Sequence, residues 1–344
     1  DILVSATNQA AVSKAFQAMP GVKKVLAAGE TRSSVRLEQG VQVDLRVLDD
    51  SSFGAALLYF TGSKEHNVTL RERAIKRGYR LNEYGLFPDD GTDDDRPLQD
   101  RGVKPVAART EQEIYKILDL LWIPPTLRED RGELTTKLPK LIAIDDIVAE
   151  LHAHTTASDG LLSIEQLAEI AKARGFHTIA VTDHSKSSVQ ANGLSPDRLK
   201  AHIEAVREAA SRVKGITILA GSEVDILTDG RLDYEDDLLA QLDIVVASPH
   251  VALKQEPKLA TKRLVRAISH PLVHILAHPT GRIINRREGL SPDINALIEA
   301  AVEHDTALEI NAHWLRLDLR DTHVKAAVDG GALIAINTDA HIEA

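Results

Sequence analysis

Apolar positions recur with one rhythm up to about residue 120 and with another beyond residue 145. In the first stretch, short apolar runs alternate with helical ones. Ile2-Leu3-Val4 reads as the end of a strand and Asn8–Ala18 as a helix, followed by strands at Val22–Ala28, Ser33–Leu37 and Val41–Leu48. The last of these alternates with period two, which sets Asp44 on its polar face. Residues 53–77 read as helical with a break at Thr61-Gly62-Ser63. Residues 82–118 read as short strands, an acidic turn over 89–95 and a helix near 110–121. Pro124–Leu141, with three prolines, mixed charge and no period, reads as a linker.

Past the linker, apolar strands at Thr178–Val181, Ile216–Ala220, Ile244–Ala247, Val273–Ala277, Ala307–Ile310 and Leu333–Ile336 alternate with amphipathic helices. The helices are placed near 163–174, 196–213, 235–241, 257–269, 292–304 and 321–329. Repeated βα units of this length predict an α/β fold with a parallel barrel or doubly wound sheet. In such barrels chemistry sits just past the C-terminal ends of the strands.

Composition changes this picture in four ways. With 43% hydrophobic and 27% charged residues over 344 positions, the chain has enough core for two globular domains. No apolar run approaches the ~20 residues of a membrane span, and the start, Asp1-Ile2-Leu3-Val4, resembles no secretory signal; the lack of an initiating Met reads as a piece of a longer protein. Net charge is −10, with 21 basic against 24 acidic residues up to position 150 and 20 against 27 after it. That balance weighs against a generally basic nucleic-acid binder, although carboxylates that hold cations inflate the acidic count. Cysteine is absent, so there are no disulfides or thiolate sites, which fits a reducing cytoplasm; any metal must be held by His, Asp or Glu.

Histidine is unevenly spread, with 13 of the 14 between residues 152 and 341. Many stand at predicted strand ends beside carboxylates. His152-Ala153-His154 follows the first strand of the second half, and residues two apart on a strand face one side. Asp159 lies in Ser158-Asp159-Gly160. Asp183-His184, Glu223, His250, His278, and Asp339 with His341 each follow a later strand. One such residue is ordinary; ligand-type residues at six or seven successive strand ends point to bound metal. His177, His202, His270, His274, His304 and His323 fall within helices or in or before strands and read as structural.

These motifs resemble the PHP (polymerase and histidinol phosphatase) family: Leu151-His152-Ala153-His154, Ser158-Asp159-Gly160, Thr182-Asp183-His184, Gly221-Ser222-Glu223, Pro249-His250, Ala277-His278-Pro279 and Asp339-Ala340-His341. The resemblance implies a distorted (β/α)7 barrel with up to three metal ions. One would lie on His152, His154, Glu223 and Asp339, a second on Glu223, His250 and His278, and a third on Asp159, His184 and His341. Mn2+ is the expected ion, with Zn2+ or Fe2+ as alternatives. Closely spaced divalent ions make a shared water acidic and neutralise a phosphate, so no protein nucleophile is required. Lys186, Arg282 and Arg316 are candidate phosphate contacts, against the alternative of surface charge. His313, where relatives often carry proline, is either an extra site residue or a tolerated change.

Leu58-Tyr59-Phe60-Thr61-Gly62-Ser63, Asn67, Arg71 and Leu81-Asn82-Glu83-Tyr84-Gly85-Leu86 are similar to the palm-to-thumb region of family X DNA polymerases. The similarity implies Tyr59 and Phe60 against the nucleotide sugar and base, at the turn containing Gly62, with Asn67 at the base edge and Arg71 on the template. Asp1 and Asp44 match the second and third carboxylates for Mg2+ or Mn2+, and the first would lie two residues before Asp1. The expected organisation is an α+β palm (1–60) and thumb (61–122), a linker (123–142) and a PHP domain (143–344).

This order implies a bacterial family X repair polymerase, a cytoplasmic monomer acting on gapped or primer-template DNA with dNTP. Its PHP domain is expected to act as a Mn2+-dependent 3′-5′ exonuclease, to remove 3′-phosphates, or to cut at abasic sites in base-excision repair. The alternatives are a small-molecule phosphatase of the histidinol phosphatase type and a non-catalytic PHP platform.

Overall fold

A computed structural model describes residues 1–92 and 96–342; Asp93-Asp94-Asp95 of the expected acidic turn lie outside the described residues. The chain divides into two compact units, 1–141 and 142–344.

Unit 1 opens with β1 (Ile2–Ser5), α1 (Gln9–Gln17), β2 (Val22–Ala28), β3 (Arg32–Leu37) and β4 (Gln42–Leu48). The sheet order is β1-β4-β3-β2, with β1 parallel to β4 and the other pairs antiparallel. Val43, Leu45 and Val47 face a small core with Phe16 and Val35, which leaves Asp44 and Arg46 on the opposite face, as the period of two predicts.

Helices α2 (Phe53–Tyr59), α3 (Lys64–Lys76) and α4 (Glu111–Ile117) and the hairpin β5 (Tyr79–Asn82)–β6 (Gly85–Pro88) form a second core around Leu58, Leu70, Leu86, Ile114 and Tyr115. Ala55 and Leu58 already belong to it, ahead of the boundary expected at residue 60. The linker expected over 123–142 is corrected more heavily. Ile123 and Leu134 are buried in this core, and Leu127 and Leu138 pack against it. Arg128 is fully buried, bonded to both Glu111 oxygens at 2.7 and 2.9 Å. Glu133 meets His66 Nδ1 at 2.6 Å. Prolines and charge hide a packed segment here because its charges are neutralised inside, where period and polarity no longer report exposure.

Unit 2 contains β7 (Ala149–Ala153), α5 (Ile164–Ala173), β8 (Thr178–Val181), α6 (Pro196–Arg212), β9 (Thr217–Asp225), α7 (Asp236–Leu239), β10 (Ile244–Ser248), α8 (Pro257–Ile268), β11 (Ile275–Leu276), α9 (Ile294–Glu303), β12 (Ala307–Asn311), α10 (Asp321–Asp329) and β13 (Ile334–Asn337). The seven strands lie in chain order in one sheet, every pair parallel. The sheet nearly closes into a barrel: Ala153 bridges Ala340, and His154 N donates to Ala340 O at 2.9 Å. Along β10, Val245 and Ala247 face the helices while Ile244 and Val246 fill the interior, so a continuous apolar run is buried on both faces. The helices start where the sequence offers caps. Ser163 and Gln166 form a reciprocal capping box on α5, and Ser195 with Pro196 opens α6.

Candidate metal centre

The nine residues picked from the strand ends of unit 2 converge at the C-terminal mouth of this barrel. Ligand atoms mutually within 4.8 Å form four overlapping sets: His154, Asp159, His184 and His341; His152, His278 and Asp339; His152, His154 and Glu223; His184, Glu223 and His250. Glu223 is central. Its Oε1 lies 2.8 Å from His278 Nε2 and 3.2 Å from His250 Nε2, and its Oε2 lies 2.8 Å from His184 Nδ1. Asp339 Oδ1 is 3.1 Å from His154 Nε2, and Asp159 Oδ1 is 3.3 Å from His341 Nε2. Glu223 lies on β9 rather than after it, because Leu219, Gly221, Glu223 and Asp225 continue the inward period of the strand.

Three positions are set by special backbone. His278 and Asp339 adopt φ of 27° and 56°, a region that costs a non-glycine residue about 1–3 kcal/mol and is found at functional sites. A Cβ on Gly160 would lie 2.4 Å from His154 O, so only glycine lets the Asp159 turn close on that ligand.

Many of the ligand atoms are buried without an aligned hydrogen bond: His152 Nε2, both nitrogens of His154, His184 Nδ1, His278 Nδ1, Glu223 Oε2 and Asp339 Oδ1. Such groups are costly unless something else satisfies them. Burial makes the rings less basic and prevails at His154, but at His184 and His250 the carboxylates outweigh it. His184, beside Glu223 and Asp159, is held up to about 10, and His250, beside Glu223 and Asp225, up to about 9. The cluster thus demands positive charge, from protons or from cations that displace them. Imidazole and carboxylate donors without sulfur suit Mn2+, Fe2+ or Zn2+, and the residues fit a group of divalent ions.

A further layer orients the rings. His152 Nδ1 pairs with Glu309 Oε1 at 2.7 Å, and Glu309 also accepts from Asn337 Nδ2 and His278 N. His250 Nδ1 pairs with Asp225 Oδ1 at 2.8 Å. Each pair turns the far nitrogen toward the cluster. Asp183, next to His184, stays out of the ligand sets. It accepts from Thr155 and Ser158 and so fixes the turn that carries Asp159. Burial pushes Asp183 up, but His202 and Ser158 bring it down to about 2. Glu150 accepts from Thr338 across the seam and from His152 N on its own strand, and burial pushes it up to about 7.

Sequence reasoning missed Glu309 and Asp225. A lone carboxylate in the apolar strand Ala307–Asn311 was a usable signal for the first, and the spacing of two from Glu223 for the second. His202, read as structural, is buried with Nε2 2.8 Å from Asp183 Oδ2. His270, by contrast, pairs with Asp236 near the surface, and His274 Nδ1 accepts from Val245 N in the strand layer.

The three candidate phosphate contacts separate. Arg282 Nε donates to Arg316 O at 2.8 Å and a second nitrogen donates to Leu317 O, so it braces the loop that carries Arg316. Lys186 is exposed, with its ammonium 5.9 Å from the Tyr234 ring centre. Arg316 Nε lies 3.6 Å from Asp339 Oδ2, and its Nη1 is buried without a hydrogen-bond partner, which leaves a cation beside the ligands. His313 joins none of the ligand sets; it is exposed, its ring stacked 5.9 Å from that of Trp314.

In unit 1, Ile2 pairs with Leu45, which puts Asp1 and Asp44 at one level on adjacent parallel strands. Asp44 accepts from Ser34 Oγ and Gln42 Nε2; chiefly the Ser34 bond lowers its pKa. Tyr59 and Phe60 are half-buried, their rings edge-on at 5.0 Å, and Arg46 lies 5.1 Å over Phe60. Gly62 (φ 86°) must be glycine, since a Cβ would meet Arg128 Cβ at 2.5 Å. Asn67 Nδ2 donates to Ser63 O, and Arg71 Nε to Asn67 O.

This architecture, a parallel barrel with a histidine–carboxylate cluster at its mouth, is that of a PHP-type domain. The family model "PHP domain" matches residues 150–313, and "DNA polymerase beta thumb" matches 56–129. The chain is 40% identical over 345 residues to the DNA polymerase/3'-5' exonuclease PolX of Bacillus subtilis, covering 99% of this chain and 59% of that protein. It is also 30% identical over 205 residues to a probable phosphatase of Shewanella oneidensis, covering 56% of this chain and 76% of that protein. The chain belongs to the family X DNA polymerases that carry a PHP domain. It spans about three fifths of the length of the Bacillus subtilis relative.

Proposed function

We propose that unit 2 is a metal-dependent phosphodiesterase that removes nucleotides from the 3′ end of DNA, and that unit 1 is the palm portion and thumb of a gap-filling polymerase. The convergence of nine ligand-type residues, six of which have buried donor atoms without hydrogen-bond partners, carries the first part. Bound Mn2+, or Fe2+ or Zn2+, supplies Lewis acidity and a source of hydroxide at neutral pH. The chain's own residues do the rest. Glu309 and Asp225 fix the rings of His152 and His250, Asp183 holds the Asp159 turn, and Arg316 meets the phosphate beside Asp339. No side chain is needed as nucleophile.

In unit 1, Asp1 and Asp44 would share Mg2+ or Mn2+ with a further carboxylate. Tyr59, Phe60, Gly62, Asn67 and Arg71 would line the path of dNTP and template. The relative's name, DNA polymerase/3'-5' exonuclease, supports this pairing of activities. Removal of 3′-phosphates and cutting at abasic sites, within base-excision repair, are the extensions of the same site.

The likeness to a probable phosphatase favours one second reading, hydrolysis of a small phosphomonoester. The purified chain with Mn2+ is expected to shorten a 5′-labelled primer from its 3′ end. An intact primer alongside hydrolysed histidinol phosphate would replace the DNA reading with the second one. Loss of neither substrate, with two or more ions bound, would leave a non-catalytic platform.

A further inference from the structure

The loops that follow β11 and β12 carry features that the ion cluster does not use. A cavity of about 780 Å3 is lined by Arg282, Arg286, Arg287 and Arg320, with Glu288 and Asp318 as the acids. Asp318 is buried. Its Oδ2 accepts from Thr280 N, Thr280 Oγ1 and Gly281 N, and burial pushes it toward the neutral form, so it offsets little of the arginine charge. This basic spot lies in a stretch with 20 basic against 27 acidic residues, so bulk composition does not account for it.

The cavity wall is tied to the next loop. Ile284 N donates to Leu315 O at 2.7 Å, and Arg282 Nε donates to Arg316 O at 2.8 Å. Trp314 stands on that loop, 71% exposed, against His313. Two residues on, Arg316 reaches Asp339 of the ion cluster. A single exposed tryptophan needs no explanation. An exposed tryptophan joined to four arginines beside a phosphoesterase site has the makeup of a single-strand binding surface, aromatic platform plus cationic groove. A small phosphomonoester would need only the ions and Arg316. A cavity of this volume suits a nucleotide-sized group rather than a lone ion.

We propose that these two loops hold the single strand of DNA that leads into the ion cluster, with Trp314 stacking on a base and the arginine-lined cavity receiving a backbone phosphate. The proposal rests on DNA being the substrate of unit 2. Arg286 and Arg320 are exposed, so their exchange leaves the fold in place, while Arg282 and Arg287 are bonded to loop carbonyls and brace it.

The test uses the full chain without added metal, titrated with a thymidine oligonucleotide and followed by tryptophan fluorescence. Trp314 is one of two tryptophans, and Trp122 is bonded to Glu111 inside unit 1. Quenching is expected in the parent, and in Trp314→Phe and Trp314→Ala, where only Trp122 reports, it should be absent. Arg286→Glu/Arg320→Glu should shift its midpoint about tenfold or more and flatten its salt dependence. With Mn2+ the same variants should raise KM for the oligonucleotide about tenfold, with kcat unchanged and hydrolysis of a p-nitrophenyl phosphodiester as in the parent. A quench that survives Trp314→Ala, or a midpoint indifferent to the arginine pair, overturns the proposal. If the parent is quenched but never shortens the oligonucleotide, DNA hydrolysis fails while the strand-binding surface stands.

Discussion

One buried histidine–glutamate pair in unit 1 and one in unit 2 make nearly equal contacts. His66 Nδ1 is 2.6 Å from Glu133, and His152 Nδ1 is 2.7 Å from Glu309. Their far nitrogens differ. His66 Nε2 meets the Tyr115 hydroxyl at 3.1 Å, which completes a closed network in an apolar core. His152 Nε2 has no aligned partner and faces Glu223 and Asp339 at 3.4 and 3.5 Å. A carboxylate behind a buried ring therefore does not identify a ligand. The free nitrogen in front of it, surrounded by further carboxylates, does.

The largest test of this contrast is on the ligand side. His250→Ala should reduce phosphodiester hydrolysis to background while circular dichroism stays that of the parent, since His250 sits at the mouth and its loss opens no core cavity. Unchanged activity would remove His250 from the site. On the structural side, His66→Ala leaves the Tyr115 hydroxyl without that partner in the core and leaves Glu133 with the backbone N–H groups of Asp130 and Arg131. Leaving buried polar groups short of a partner costs about 1–3 kcal/mol, so denaturant melts should show unit 1 destabilised while hydrolysis by unit 2 persists under folding conditions. A stable His66→Ala protein lacking hydrolysis would reverse the roles assigned to the two pairs.

A smaller effect separates ligand from orienting group. Glu309→Gln keeps shape but loses the charge behind His152, and changes of this kind typically cost about 10–100-fold in metal affinity. Titration with Mn2+ should show that loss, and full affinity would mean that Asn337 and the backbone suffice to hold the ring.

What the sequence disclosed divides along the same line. The strands and helices of unit 2 and the nine residues that cluster at its mouth were legible, because a parallel barrel writes apolar runs of strand length and exposes its chemistry at their ends. The orienting residues were not, because Glu309 and Asp225 lie inside strands where an inward carboxylate looks like any break in an apolar run. The 123–142 segment was misread because Arg128 and Glu111 neutralise each other out of water, and composition alone cannot pair them.

The finest test concerns His202, a helix residue that pattern assigns to packing. Its ring stands 2.8 Å from Asp183 Oδ2, and Asp183 in turn holds Thr155 and Ser158 of the turn bearing Asp159. His202 is thus two steps from the ions, behind a carboxylate that is itself behind a ligand turn. His202→Gln can keep a donor near Asp183 but not the ring. The expected result is a loss of Mn2+ affinity of about tenfold or less, at the low end for outer-shell partners, with an unfolding free energy within about 1 kcal/mol of the parent. A loss as large as that of Glu309→Gln would place His202 among the groups that set the ion cluster. No change in affinity would return it to packing, and the boundary between orienting and structural residues would then fall at Asp183.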